Sequence, residues 1–321
     1  MNVNRRTLTL LIVAVAVIGG VYSITLWQRA RETQRLMADL QSPDHAVAAQ
    51  AMTSLRERVS SVDDELTSMA RLEGADVRWR AVQLLGRTDG AASREALMDA
   101  LQAPEPVVRA AAAHALAERG VRGAADRIAL LATAEEEEMQ VRLAAVRALQ
   151  RLRTATHLAE LSQLATDRPP PPPEEEDEPA DDLEEVEEWS DDTVDLRIEA
   201  VRAVAVVGAQ DGSAALDAAS TLAEAAGPGE HNENVRKAAC YALTDLAQLE
   251  MREEVRKRVV QALLAAANDE IGSVRVAAVH GLSIVTAPIE LSGDVRRAME
   301  DALNDDHYWV RVAAGEEPIG G

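Results

Sequence analysis

The sequence predicts an all-α fold: a solenoid of about eight helical hairpins preceded by one further, apolar helix. Three observations predict it. One line of residues, clearest as Ser273-Val274-Arg275-Val276-Ala277-Ala278-Val279-His280-Gly281-Leu282, is rewritten along the chain, with its arginine recurring as Arg78, Arg109, Arg142, Arg197, Arg236, Arg275 and Arg311. Intervals of 31, 33, 55, 39, 39 and 36 residues separate these arginines, a period that suits one pair of helices stacked on the next. Apolar residues make up 47% of the 321 positions, yet there is no Phe and only three Tyr and four Trp, so the core is built from Ala, Leu and Val at helical spacing, without the alternation that marks strands.

The elements follow in order. Residues 1–6 form a short basic tail, and Thr7–Gln28 are 22 residues without a charge. A helix of that length spans a ~30 Å hydrocarbon core, and Trp27 with Arg29 and Arg31 has the character of an interfacial anchor, so the stretch is expected to be a transmembrane helix over 7–28. The alternative is a cleaved signal peptide, although Val21-Tyr22-Ser23 is a poor cleavage site. On that reading the protein is a single-pass protein of an inner or plasma membrane, its solenoid placed outside the cytoplasm by the form of a signal anchor. Residues 29–41, with Leu36 and Leu40 one turn apart, continue as a juxtamembrane helix.

The solenoid itself occupies 42–315, opening with a degenerate repeat capped at Ser42-Pro43-Asp44 and closing with a truncated one, before a tail over 316–321. First helices are expected near 62–72, 91–102, 123–133, 155–166, 212–225, 252–268 and 291–304, with second helices beginning near 77, 106, 139, 193, 234, 273 and 308. Only the 55-residue interval breaks the period, and an insertion over 167–192 accounts for it. Five prolines from Pro169 to Pro173 are followed, to Asp192, by thirteen acids with no base among them, the composition of a disordered loop with a stiff polyproline start. Trp189 is the one aromatic side chain there, a candidate anchor for a partner, and a basic partner suits the loop.

The repeated line, a Val-Arg pair followed by small and aliphatic residues, resembles the opening of the second helix in HEAT repeats. The resemblance covers about residues 40–315, and the short units are closest to the compact HEAT-like repeats of the phycobilin-lyase kind. It implies an elongated superhelix whose second helices line a concave face, with the motif arginines bonded to carboxylates or carbonyls of the adjoining repeat. Arg78, Arg109, Arg142, Arg197, Arg236, Arg275 and Arg311 are accordingly expected to form a structural ladder, with Asp76, Asp195 and Glu233 as nearby caps or partners.

Five residues after each arginine the sequence places Gln83, His114, Arg147, Arg202, Tyr241 and His280, between small or aliphatic neighbours. Helical spacing aligns this position with those one and eight residues after the arginine, so it forms a stripe on one face and a candidate protein-binding groove; the plain alternative is a solvated helix side. Acids collect at turns between first and second helices, at Glu135–Glu138, Glu230, Asp269, Glu270, Asp305 and Asp306, and arginines collect near the opposite turns.

Charge and chemistry narrow the function. A net charge of −22 excludes a general affinity for nucleic acid. The six histidines are followed by Ala, Ala, Leu, Asn, Gly and Tyr, without the His-Glu pairs of HEAT-type iron hydroxylases. Cys240 lies on the apolar side of a repeat helix, and no nucleophile sits in a Gly-flanked elbow. No catalytic residue, metal or cofactor is therefore expected. The expected function is a membrane-tethered scaffold or adaptor that binds another protein, with a lyase-like or otherwise catalytic HEAT protein and a plain structural spacer as the alternatives.

Overall fold

The computed structural model describes residues 5–72, 74–167, 191–249 and 252–316, with side chains from Tyr22 onward except that of Asp191. Every regular element among them is helical. The chain divides into two compact units, 1–100 and 101–321.

The first unit holds α1 (Arg5–Leu40), α2 (His45–Leu55), α3 (Asp63–Met69), α4 (Ala75–Leu85) and α5 (Ala91–Ala100). The Asp44 carboxylate caps α2 by accepting from the amides of Ala46 and Val47 at 2.8 and 3.4 Å. Leu40, Leu55, Leu66, Leu85 and Leu97 are sealed from solvent in its core, each stabilising the unit by roughly 1.5–3 kcal/mol relative to exposure. A buried arginine closes the turn between α1 and α2. Arg80 of α4 donates through Nη1 to the carbonyls of Leu40 and Ser42 at 2.9 and 3.0 Å, satisfying groups that the end of α1 leaves open.

The expected membrane span over 7–28, and with it the inner- or plasma-membrane location, is corrected by this structure. Among the described residues no helix is long and apolar enough to cross a membrane. Side chains of residues 7–21 lie outside the described set, and beyond residue 28 α1 carries Arg29, Arg31, Glu32, Arg35 and Asp39. Residues 22–32 are exposed, and α1 joins the unit at its C-terminal end. It packs on α2 through Leu40, and Glu32 pairs with Arg58 at 3.0 Å.

The second unit holds α6 (Pro106–Glu118), α7 (Ala125–Thr133), α8 (Met139–Leu152), α9 (Leu158–Thr166), α10 (Asp191–Gly208), α11 (Gly212–Ala225), α12 (Glu233–Leu249), α13 (Glu253–Ala266), α14 (Gly272–Ile284), α15 (Ser292–Ala302) and α16 (Tyr308–Ala314). They form two layers. Helices α6, α8, α10, α12, α14 and α16 pack each on the next as one layer, and α7, α9, α11, α13 and α15 do the same as the other. Small residues make this stacking close: Ala112, Ala113, Ala145, Ala200, Ala239 and Ala277 are all buried on the α6–α14 layer. Gly281 of α14 is part of the same economy, since a Cβ there would collide with Thr244 of α12 and Leu263 of α13. An all-helical solenoid of paired helices is thus what the sequence periodicity encodes.

Candidate functional site

The repeated arginine stands in the first turn of α6, α8, α12, α14 and α16, where the helix dipole disfavours a cation, and in the second turn of α10. The second unit compensates in a recurring way. Arg236 donates Nη1 to the carbonyls of Glu230 and His231 at 2.7 and 3.2 Å, just before its own helix, and Nε and Nη2 to the Asp269 carboxylate of the following turn at 2.8 and 3.0 Å. Arg275 repeats the arrangement one unit on: Nη1 reaches the carbonyls of Asp269 and Glu270, while Nε and Nη2 each meet the Asp305 carboxylate at 2.8 Å. Arg311 takes the carbonyl of Asp305 at 2.9 Å and the carboxylate of Glu316 at 2.7 Å. Arg197 enters the same series through both oxygens of Glu230.

Each ladder acid works in both directions, its backbone carbonyl holding the arginine of its own repeat and its carboxylate holding the arginine before. A third bond fixes the turn, as the amides of Asn232, Ile271 and His307 each donate 2.8 Å to Glu230, Asp269 and Asp305. The acidic edge read from the sequence is, to this extent, the second half of the ladder. Arg109 makes the same set, Nε and Nη2 donating to Glu137 and Nη1 to the carbonyls of Ala103 and Pro104, while other rungs are plainer: Arg142 donates to the Ala132 carbonyl at 3.2 Å, and Arg78, in the first unit, donates to the Leu72 carbonyl. The partners expected from sequence are placed elsewhere. Asp76 lies 4.0 Å from Arg80, Asp195 faces a cleft described below, and Glu233 opens α12.

Electrostatics follows this geometry. The Arg275 hydrogen bond holds the Asp305 carboxyl down at about 2 from an ordinary 3.8, against the opposing effect of burial. Burial alone would raise Glu137, but the Arg109 hydrogen bond and the Glu138 amide outweigh it and its pKa is lowered. Because the Asp305 carboxyl is more acidic folded than unfolded, its stabilisation is complete above pH 3.8 and is lost as pH falls toward 2. Asp305→Asn is therefore expected to lower stability by about 1–2 kcal/mol near neutral pH and to remove part of the acid limb between about pH 4 and 2, measured by urea unfolding at several pH values. Burial drives the Cys240 thiol up to about 12, so it stays protonated and unreactive.

The groove candidates occupy the exposed side of the same helices. Gln83 is exposed on α4 of the first unit, while His114, Arg147, Arg202, Tyr241 and His280 lie exposed on α6, α8, α10, α12 and α14 of the second. Neighbouring members interact. One carboxylate oxygen of Glu199, on α10, accepts from Arg147 Nη2 at 3.0 Å and from Arg202 Nη1 at 3.3 Å, bridging α8 and α10. The rings of Tyr241 and His280 meet edge to face with centroids 6.3 Å apart, linking α12 and α14. His114 stands 3.9 Å from Glu118, which also pairs with Arg151 at 2.8 Å. Between α10 and α12 the stripe borders a cleft of about 470 Å³ lined by Val194, Asp195, Ile198, Arg202, Asn234, Lys237, Ala238 and Tyr241.

Glu199 was not legible as a site residue, although it follows Arg197 by the two residues that put it beside the stripe. Trp189 and most of the acidic insertion lie outside the described residues. Among the described residues no group of three or more His, Cys, Asp or Glu is arranged to hold a metal ion.

A family model described as HEAT repeats matches this chain over 33–117, 64–137 and 95–173. Together these matches span residues 33–173. The HEAT-like line continues beyond them in the arginine register of α10, α12, α14 and α16. No curated protein sequence matches the chain. Among solved structures, the karyopherin Kap121p bound to the extreme C-terminus of the protein phosphatase Cdc14p is similar, with a TM-score of 0.57 and 14% identity over 88% of this chain and 32% of that one. The chain thus spans about a third of the karyopherin's length. YibA of E. coli is similar with a TM-score of 0.51 and 17% identity, over 87% of this chain and 90% of that one. The CpcE–CpcF complex of phycocyanin lyase from Nostoc sp. has a TM-score of 0.41 at 19% identity over 84% and 92% of the two chains, too low to carry an argument. At these identities the likenesses show the helical-repeat fold alone.

Proposed function

We propose that this chain is a non-enzymatic HEAT-repeat scaffold whose α6–α14 layer binds another protein. The observation that carries the reading is the cleft between α10 and α12, which the stripe residues Arg202 and Tyr241 line together with Ile198 and Ala238. Arginine and tyrosine beside a partly apolar cleft are the chemistry of interface hot spots, since each offers a large contact area with a polar end. A karyopherin of similar fold holds the terminus of a partner protein, and a stack of helices offers the same extended face here. The arginine ladder, on this reading, is structural and sets the spacing of the face.

Site-specific photo-crosslinking tests it. A crosslinker placed at Tyr241 or Arg202 is expected to give one defined protein adduct in extracts of the native cells, while one at Leu130, exposed on α7 of the other layer, gives none. The combined variant His114→Ala, Arg147→Ala, Arg202→Ala and Tyr241→Ala should weaken capture of that partner at least tenfold, about 1.4 kcal/mol or more, while circular dichroism shows the chain still folded. Adducts at Leu130 alone would move the binding surface to the other layer. No adduct at any position would leave a structural spacer, and a small-molecule product formed by the purified chain would make it an enzyme.

A further inference from the structure

The second unit's exposed row, His114, Arg147, Arg202, Tyr241 and His280, contains no acid, in a chain of net charge −22. Alongside it, Leu143, Ile198 and Val276 are half-buried and apolar, and Lys237 stands among them. Arg147 and Arg202 remain 60% and 57% exposed while each donates to the same oxygen of Glu199, whose side chain is only 15% exposed. The two guanidiniums therefore already converge on a carboxylate, and each has further N–H groups to give. Lys237 donates to Asn234 at 2.9 Å and lines the cleft with Arg202, the two cations facing one acid, Asp195, among its lining residues.

We propose that this face binds an extended acidic peptide segment of another protein. Its carboxylates would meet Arg147, Arg202 and Lys237, and an apolar or aromatic side chain would enter the cleft against Ile198, Ala238 and Tyr241. This rests on the reading of the α6–α14 layer as the protein-binding face. Two physical arguments select the occupant. Stacked helices repeat at ~9–10 Å, and a polyproline II segment brings every third side chain back to the same side after ~9 Å, so acids at every third position fall in step with successive helices. A nucleic acid offers the same negative charge with stackable bases, but its long phosphate array meets the field of a chain carrying 55 acids against 33 Lys and Arg, whereas a short peptide meets only the local row.

Fluorescence anisotropy with the full chain separates the outcomes. The probes are a twelve-residue proline-rich peptide with Glu at every third position and one Trp, its Gln counterpart, its Lys counterpart, and a single-stranded oligonucleotide of equal charge. The Glu peptide is expected to bind at least tenfold more tightly than the Gln or Lys peptide, to weaken with added salt, and to lose tenfold or more in the variant Arg147→Gln, Arg202→Gln, Lys237→Gln. Glu199→Gln should act in the opposite direction, tightening the Glu peptide severalfold by freeing two guanidiniums, an effect that a merely structural role for these arginines would not produce. Equal binding of the Glu and Gln peptides, tighter binding of the oligonucleotide, or no binding of the Glu peptide overturns the inference. If crosslinks from Tyr241 still identify a partner in any of those cases, the protein-binding face stands and only its chemistry was misassigned.

Discussion

Glu230→Ala is expected to cost about 3–5 kcal/mol of the second unit's stability, the largest single effect in this protein. The Glu230 side chain is fully buried and that of Arg197 is 2% exposed, so neither charge has water to fall back on. Removing the carboxylate leaves a guanidinium inside an apolar stack, unpairs the Asn232 amide, and loosens the turn whose carbonyl holds Arg236. Urea unfolding followed by circular dichroism checks it, with Glu300→Ala, an exposed acid on α15, as a control within about 0.5 kcal/mol of wild type. A second variant decides the cause. Replacing the pair together, as Arg197→Met with Glu230→Leu, should recover most of the loss, because an apolar pair avoids the desolvation that a lone buried charge incurs. If the double variant is as weak as the single one, the turn rather than the charge was supporting the unit.

Gly208→Ala is expected to be the next largest. A Cβ at this position in α10 would collide with the Cβ of Ala218 in α11, so the two helices of one hairpin must move apart. Overpacking of this kind costs about 1–3 kcal/mol, against a gain of up to about 1 kcal/mol from replacing glycine within a helix, and the net expectation is a loss of about 1–2 kcal/mol. Gly293 supplies the opposite sign. Nothing stands within 4 Å of a Cβ there, so Gly293→Ala in α15 should raise the melting temperature slightly where Gly208→Ala lowers it. Equal shifts in the same direction would remove close helix approach as the explanation.

The ladder shows where sequence reading reached and where it stopped. The arginines were legible because they recur in register, and the acids were visible as clusters at the turns. Their pairing was not, because Asp76, Asp195 and Glu233 are closer along the chain to the motif than Glu230, Asp269 and Asp305 are to the arginine each one grips. Those bonds join residues 30 or 33 positions apart, a separation that only stacking of one hairpin on the next converts into contact. A partial signal existed. Glu230, Asp269 and Asp305 each stand six residues before Arg236, Arg275 and Arg311, and Asp191, whose side chain lies outside the described residues, holds the same place before Arg197.

By itself the sequence determined the secondary structure and its register. Second helices expected at 106, 139, 273 and 308 begin at Pro106, Met139, Gly272 and Tyr308, and the expected helix over 212–225 is α11, because a periodic apolar stripe and its turn residues are local properties. It also determined that the stripe five residues after each arginine lies on one exposed face of each helix. Tertiary structure alone decided which stripe residues meet. Arg147 and Arg202 share Glu199, Tyr241 meets His280, and a cleft opens between α10 and α12, since the sideways offset of neighbouring helices depends on the volumes packed between them. The first helix marks the limit most clearly. An uncharged run along the chain reads as a membrane span, but no helix among the described residues is long and apolar enough to cross one, and the described part of α1 packs at its C-terminal end, through Leu40, on α2.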